Sequence, residues 1–119
     1  MSISRDVFDP LALVVDWLDA CRLGELNGLL YLYDERAVLE CECERVSLTG
    51  RKSIAAYWAP KLESKIASAF TLDDMILTGD GVQVDYQSYE GKPVRIHFQF
   101  GPAGKILHTS CGPLARCAV

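Results

Sequence analysis

Half of the 119 residues are apolar and a quarter are charged, which indicates a folded domain and excludes a disordered chain. The net charge of -4 and the absence of a basic stripe argue against nucleic acid as a partner. Five cysteines without the spacing of a disulfide framework favour a reducing compartment, and no apolar run is long enough to span a membrane. We therefore expect one cytoplasmic domain over residues 1–119, with no membrane or nucleic-acid partner.

The first predicted elements are helices. From Asp9, a plausible N-cap, apolar residues recur on one stripe until Gly24, and "ELNGLLYLY" predicts a short second helix. A strand containing two cysteines follows. Residues 51–66 then repeat apolar side chains at every fourth position and predict a third helix, with a kink or break near Ala56 to Pro60.

The cysteine strand lies within "LECECERV", residues 39–46, where thiols and carboxylates alternate. Successive strand side chains point to opposite faces, so Cys41 and Cys43 are expected on one face and the three glutamates on the solvated face. Alternate residues lie roughly 6.5 to 7 Å apart with parallel side chains, so a disulfide between these two cysteines is not expected.

The period changes from Ala69 onward. The runs "AFTLDDMIL", "VQVDYQSYE", "PVRIHFQF" and "KILHTSC" have strand length and are separated by short turns, which predicts an antiparallel meander. Helices followed by a meander predict an α+β domain, with three helices packed on one face of a curved, mainly antiparallel sheet.

The turn "GPAG" gives a register for the last hairpin, with Ile96 opposite Thr109 and Phe98 opposite Leu107 on an inward, largely apolar face. Val94 and Cys111 form the next inward pair. The outward face then carries the only two histidines, His97 and His108, directly opposite one another. Zinc needs further ligands than these two, so we predict no metal site.

The preceding hairpin, at "EGKP", admits two registers. A two-residue turn points Asp85 and Gln87 inward, where burial would raise the pKa of the Asp85 carboxyl, while a three-residue turn with a bulge points them outward. In the first register an apolar patch suited to a partner subunit faces outward, made of Val82, Val84 and Tyr86.

These residues carry a family resemblance. "WLDACRLGELNGLLYLYDERAVLE" and "LTGRKSIAAYW" resemble the nuclear transport factor 2-like superfamily, especially its SnoaL-like and ketosteroid-isomerase-like members. The resemblance implies a cone in which helices and a strongly curved sheet enclose a pocket. It also implies a homodimer formed through the outer face of the sheet.

The catalytic positions of the ketosteroid isomerases do not survive the comparison. Their tyrosine falls on Trp17, their general-base aspartate on Cys41 and their second acid on Ile96. Because all three are altered, isomerase activity of that kind is improbable and no catalytic residue is assigned. Cys41 is interpreted either as a reactive thiol or as a small apolar wall residue.

The sequence therefore predicts a domain that binds a small, mainly apolar molecule between helices and sheet, without a cofactor. One alternative is an isomerase, lyase or hydrolase that transfers protons through Asp85, and another is a protein interaction module with no open pocket. The predicted pocket residues are Trp17, Cys41, Cys43, Asp85, Gln87, Phe98, Thr109 and Cys111.

Overall fold

Two helices precede the sheet and a third follows its first two strands. A computed structural model describes residues 8–42 and 44–113. None of the described helices is long and apolar enough to cross a membrane. The helices are α1 (Pro10–Leu23), α2 (Leu26–Tyr31) and α3 (Arg51–Glu63). The strands are β1 (Tyr33–Cys41), β2 (Val46–Thr49), β3 (Leu72–Leu77), β4 (Val82–Gln87), β5 (Pro93–Phe100) and β6 (Ile106–Pro113).

The six strands form one mixed sheet in the order β2-β1-β6-β5-β4-β3. Strands β3 to β6 are the predicted antiparallel meander. Strand β1 pairs in parallel with β6 and antiparallel with β2. The α+β class is therefore confirmed, while the parallel pair makes the sheet mixed.

The helices begin and end largely where the sequence predicts. The carboxylate of Asp9 accepts hydrogen bonds from the first backbone N–H groups of α1, and Gly24 ends that helix with φ 72°. Helix α3 runs unbroken through Pro60, so of the predicted kink or break the break is wrong, and the kink stays a prediction. Pro60 lies in the last turns, where one hydrogen bond is lost, and the buried Trp58 and Leu62 pack against the core on either side of it.

The stretch "LECECERV" is a strand and a turn rather than one strand. Strand β1 ends at Cys41, which pairs with Val46 across a hairpin. Arg45 has φ 56° and its N–H donates to the carbonyl of Glu42 at 3.3 Å, which turns the chain back. The predicted alternation of faces therefore stops at Cys41, and Cys43 lies outside the described residues.

The hairpin between β4 and β5 uses the three-residue turn. Ser88 donates its N–H to the carbonyl of Lys92, so the three residues between them form the turn. Gly91, the last of the three, has a left-handed φ of 82°. Asp85 consequently pairs with Arg95 on the face away from the helices. The inward orientation predicted for Asp85 and Gln87 is wrong, and the supposed outer patch of Val82, Val84 and Tyr86 is buried in the core.

The last hairpin has the predicted inward face but a shifted register. Ile96 pairs with Cys111 and Phe98 with Thr109, because a bulge between Gln99 and Phe100 changes the pairing near the turn. The bulge also brings Ile106 into the core and leaves Leu107 39% exposed, although Leu107 was the predicted inward residue.

The same shift separates the two histidines. His97 pairs with Ser110 and His108 with Gln99, so the predicted pairing of the histidines is wrong. Both histidines lie on the outer face, as the sequence predicts.

An aromatic cluster fills the interior between α1, α3 and the sheet. The Trp17 ring centroid lies 5.1 to 6.3 Å from those of Trp58, Phe70, Tyr86 and Phe98. The indole N–H groups of Trp17 and Trp58 both donate to the hydroxyl of the fully buried Tyr33, at 3.1 and 3.2 Å. One phenol oxygen thus satisfies two buried donors.

Replacement of Tyr33 by Phe should destabilise the protein by about 2 to 6 kcal/mol, because each of the two buried indole N–H groups left unpaired costs about 1 to 3 kcal/mol. Urea unfolding of the variant measures the loss. Tyr31→Phe is the matched control, since Tyr31 is 68% exposed and should lose almost no stability. Equal stabilities of the two variants would contradict the shared hydrogen bond.

Replacement of Gly81 by Ala tests the observed register of β4 and β5. A Cβ added to Gly81 would overlap the carbonyl oxygen of Phe98, whereas a Cβ at Gly79 meets no atom within 4 Å among the described residues. We expect Gly81→Ala to lower the free energy of unfolding by more than about 2 kcal/mol and Gly79→Ala to change it by less than about 0.5 kcal/mol. Two neutral substitutions would mean that β4 and β5 pair in another register.

Candidate functional site

Two cysteine side chains lie side by side where β1 and β6 run in parallel. Cys41 and Cys111 are direct register partners, so their side chains share the inner face of the sheet. Cys41 is buried and Cys111 is half-buried. The sequence predicts both cysteines as pocket residues, and the structure brings them together.

Polar groups from two other segments meet the Cys41 thiol. Hydrogen bonds from the side chain of Cys111, the backbone N–H of Glu44 and the hydroxyl of Tyr57 lower the pKa of Cys41 to about 6, against the opposing effects of burial and of the Glu44 carboxylate. Cys41, Cys111, Tyr57 and the Glu44 backbone are called the thiol cluster below. Its donors favour a thiolate at neutral pH.

The Tyr57 hydroxyl keeps its proton. Burial, followed by the charges of Cys111 and Cys41 and by the Glu44 carboxylate, raises the pKa of Tyr57 far above its ordinary value. Lys61, one turn later in α3, lies 3.0 Å from that carboxylate, and its ammonium sits over the rings of Tyr57 and Tyr89 at 4.3 and 4.8 Å. Tyr57 is therefore a donor at any working pH.

One row deeper on the inner face lies an unpaired hydroxyl. Thr109 pairs with Phe98 on one side and Leu39 on the other, and it is 1% exposed. Its Oγ1 has no hydrogen-bond partner among the described residues. A buried hydroxyl without a hydrogen-bond partner costs free energy of folding.

Two further predicted pocket residues, Trp17 and Phe98, belong to the aromatic cluster. Their ring centroids lie 5.1 Å apart and both side chains are fully buried. The Trp17 N–H is already bonded to Tyr33, so it is not available to a ligand. These two residues form a packed wall beside the thiol cluster.

Asp85 and Gln87 do not join this site. Arg95 holds the Asp85 carboxylate with two hydrogen bonds of 2.8 and 3.0 Å on the outer face, and these bonds lower the pKa of Asp85. Gln87 donates to Asp73 at 2.7 Å. Asp85 is thus ionised and faces away from the interior, so the acid-base role proposed for an inward carboxyl has no support in this geometry.

The outer-face histidines have separate partners. His97 lies 3.1 Å from both Thr78 and Asp80, and His108 lies 2.8 Å from Glu40. Within the two described ranges, no group of three or more His, Cys, Asp or Glu side chains could hold a metal ion.

Sequence reasoning missed Tyr57, Glu44 and Lys61. The helical period of α3 predicts that Ile54 and Trp58 face the core. Tyr57 lies at the edge of this apolar face, so the period does not mark it as a site residue. Lys61 follows Tyr57 by four residues on the same helix face. Glu44 was assigned to a strand face, but the turn after Cys41 brings it toward α3.

A shallow cleft of about 400 Å³ lies elsewhere, near the start of β1 and the turn between β5 and β6. Its walls include Phe8, Asp16 and Lys105. Lys105 donates to the carbonyl of Tyr31 at 2.7 Å and covers the Tyr31 ring. The cleft contains none of the predicted pocket residues.

The lowered pKa of Cys41 predicts a pH-dependent stability. The pKa is about 6 in the folded protein and roughly 8.5 in an unfolded chain, so between these values the unfolded state binds more protons. The free energy of unfolding should therefore rise from pH 6 to pH 8, and this contribution should be lost as pH falls through 6. Urea unfolding at several pH values measures it.

Cys41→Ala should remove that rise. Cys21→Ala is the control, because burial raises the pKa of Cys21 well above its ordinary value and its thiol does not ionise in this window. The difference between wild type and Cys41→Ala should grow with pH, whereas that between wild type and Cys21→Ala should stay constant. A constant difference for Cys41→Ala would contradict the thiolate.

No family model and no curated protein sequence matches this chain. Solved structures do. A SnoaL-like protein of unknown function from Burkholderia thailandensis superposes with a TM-score of 0.77 and 19% identity over 86% of this chain and 91% of its own.

Two other structures are similar in fold. A protein of ketosteroid isomerase-like fold from Catenulispora acidiphila, in complex with trimethylamine, has a TM-score of 0.67 and 17% identity over 83% of this chain and 82% of its own. A steroid delta-isomerase from Pseudomonas aeruginosa has a TM-score of 0.66 and 16% identity over 91% of this chain and 82% of its own. The chain therefore shares its fold with these SnoaL-like and ketosteroid isomerase-like structures.

Proposed function

We propose that this chain binds a small, mainly apolar molecule between α3 and the inner face of the sheet. The observation that carries the proposal is the buried, unpaired hydroxyl of Thr109, one row from Cys41 and Cys111. Free energy is lost while this group is unpaired, so a ligand that supplies a hydrogen bond there is favoured.

The chemistry of the walls suggests what kind of molecule fits. Leu39, Ile96 and Phe98 present apolar surface on the inner face. The Thr109 hydroxyl can donate or accept a hydrogen bond, and the Cys41 thiolate is an acceptor. A small alcohol or phenol matches this combination, because its body is apolar and its single hydroxyl both donates and accepts.

The aromatic cluster limits the size of the ligand. The rings of Trp17, Trp58 and Phe70 pack against one another at centroid distances of 5.6 to 6.3 Å. Such close packing around Trp17 favours a molecule much smaller than a steroid. Trimethylamine, held by one protein of similar fold, is of that smaller size class.

Binding is a better proposal than proton transfer. The residues at the three ketosteroid isomerase positions are Trp17, Cys41 and Ile96, and the alternative acid, Asp85, pairs with Arg95 on the outer face. No reaction is therefore proposed for the apolar ligand.

A protein interaction module is the second candidate, and the packed aromatic interior is the observation that favours it. Its surface would be the outer face or the edge strand β3, where Ile76 and Leu77 are 46% and 57% exposed. A homodimer is a further proposal that rests on the family resemblance, since the patch first predicted for it is buried. Light scattering of the purified chain would test the dimer.

Replacement of Thr109 by Val tests the binding proposal, with phenol as the probe. The substitution keeps the shape of the side chain and removes the hydroxyl. We expect phenol to shift backbone amide signals around residues 39–41 and 109–111 saturably in wild type, and to bind at least about fivefold more weakly to the variant, the loss of one hydrogen bond of about 1 kcal/mol. NMR titration measures both.

Ser110→Val is the matched control, because Ser110 is exposed and belongs to the outer face. It should leave phenol binding unchanged. Equal affinity of wild type and Thr109→Val, or shifts confined to the cleft near Lys105, would contradict the proposed site. Absence of any saturable shift would favour the interaction module.

A further inference from the structure

We propose that Cys41 and Cys111 form a dithiol that undergoes exchange with low-molecular-weight disulfides, with Cys41 as the attacking sulfur and Cys111 as the resolving sulfur. The inference uses the same site as the proposed ligand but does not require that ligand. It rests on the register of β1 against β6 and on the groups around Cys41.

The register sets the two sulfurs at bridging range. Neighbouring strands lie about 4.8 Å apart, and disulfides join residues whose Cα atoms are roughly 4.4 to 6.8 Å apart. Cys41 and Cys111 are direct partners on the same face, so their Cα atoms lie within the range that a disulfide can join. Their separation along the chain is 70 residues, which is 111 minus 41.

The surrounding groups assign the two roles. Cys41 receives hydrogen bonds from Cys111, from the Glu44 backbone and from Tyr57, all of which stabilise its thiolate. Cys111, its register partner, is then the nearest sulfur that can attack a mixed disulfide on Cys41. The Cys41 side chain is 7% exposed at the last residue of β1, next to a turn, which suits a small reagent better than a protein substrate.

The exchange balances in two steps. The Cys41 thiolate attacks one sulfur of a disulfide R–S–S–R, forming a mixed disulfide and releasing one RS⁻, which takes a proton from water. Cys111 then loses its proton to solvent and attacks the Cys41 sulfur, which releases the second RS⁻ and forms the Cys41–Cys111 bond. Starting from one thiolate and one thiol, the protein loses two electrons and one proton, and the two RS⁻ released become thiols by taking up that proton and one from water.

The expected rate follows from two opposing effects. At pH 6 a thiol of pKa about 6 is roughly half ionised, about 150 times more than a thiol of pKa 8.5. Its intrinsic nucleophilicity is about 13 times lower, because reactivity falls as basicity falls. Cys41 should therefore react about tenfold faster at pH 6 than a small reference thiol such as glutathione.

The experiment treats the reduced full-length chain with 2-hydroxyethyl disulfide under anaerobic conditions and maps cysteine modification by peptide mass spectrometry. The background variant is C43S/C117S, because neither of these cysteines lies among the described residues. Cys21 is the internal control: it is buried in α1 and should stay unmodified in the folded protein.

We expect a Cys41–Cys111 disulfide and two molecules of 2-mercaptoethanol per chain. C111S in the same background should stop at a mixed disulfide on Cys41, and C41S should lose most of the fast phase. A first modification on Cys111, a disulfide between other cysteines, or a Cys41 rate at pH 6 no higher than that of glutathione would overturn the proposal. If C41S does not fold, the C111S variant still shows which sulfur attacks first, because the mixed disulfide then remains on that cysteine.

Discussion

The hydroxyl of Tyr33 is the constraint on which the packing of this domain depends. It accepts the indole N–H groups of Trp17 from α1 and Trp58 from α3, while the Tyr33 backbone carbonyl accepts two hydrogen bonds from Arg51. One residue at the start of β1 therefore fixes two helices relative to the sheet. Without that oxygen, the two largest side chains of the core would each bury an unpaired donor.

This packing separates the interior into two chemically different regions. Aromatic rings occupy the space around Trp17. Polar groups collect at the other end of β1, where the Cys41 thiol lies and where the Thr109 hydroxyl has no hydrogen-bond partner among the described residues. One end of the interior is therefore closed by ring packing, while the other carries groups that can donate and accept hydrogen bonds.

The elements of the fold follow from local signals, and the pairing between them does not. Asp9 and Gly24 mark the ends of α1 because capping is a local effect. The orientation of Asp85 depended on whether Gly91 adopts a left-handed conformation in a three-residue turn, and both turn lengths fit the sequence "EGKP". Cys41 and Cys111 are register partners although they are 70 residues apart in the sequence (111 minus 41). No local sequence pattern encodes a pairing over that distance.

Hydrogen exchange of the two indole N–H groups, followed by NMR in deuterated buffer, tests the role of Tyr33 most directly. If the Tyr33 oxygen holds both donors in a closed core, the indole protons of Trp17 and Trp58 exchange only through global unfolding, as slowly as the most protected backbone amides. Exchange of either indole proton through local opening, orders of magnitude faster than those amides, would contradict this account.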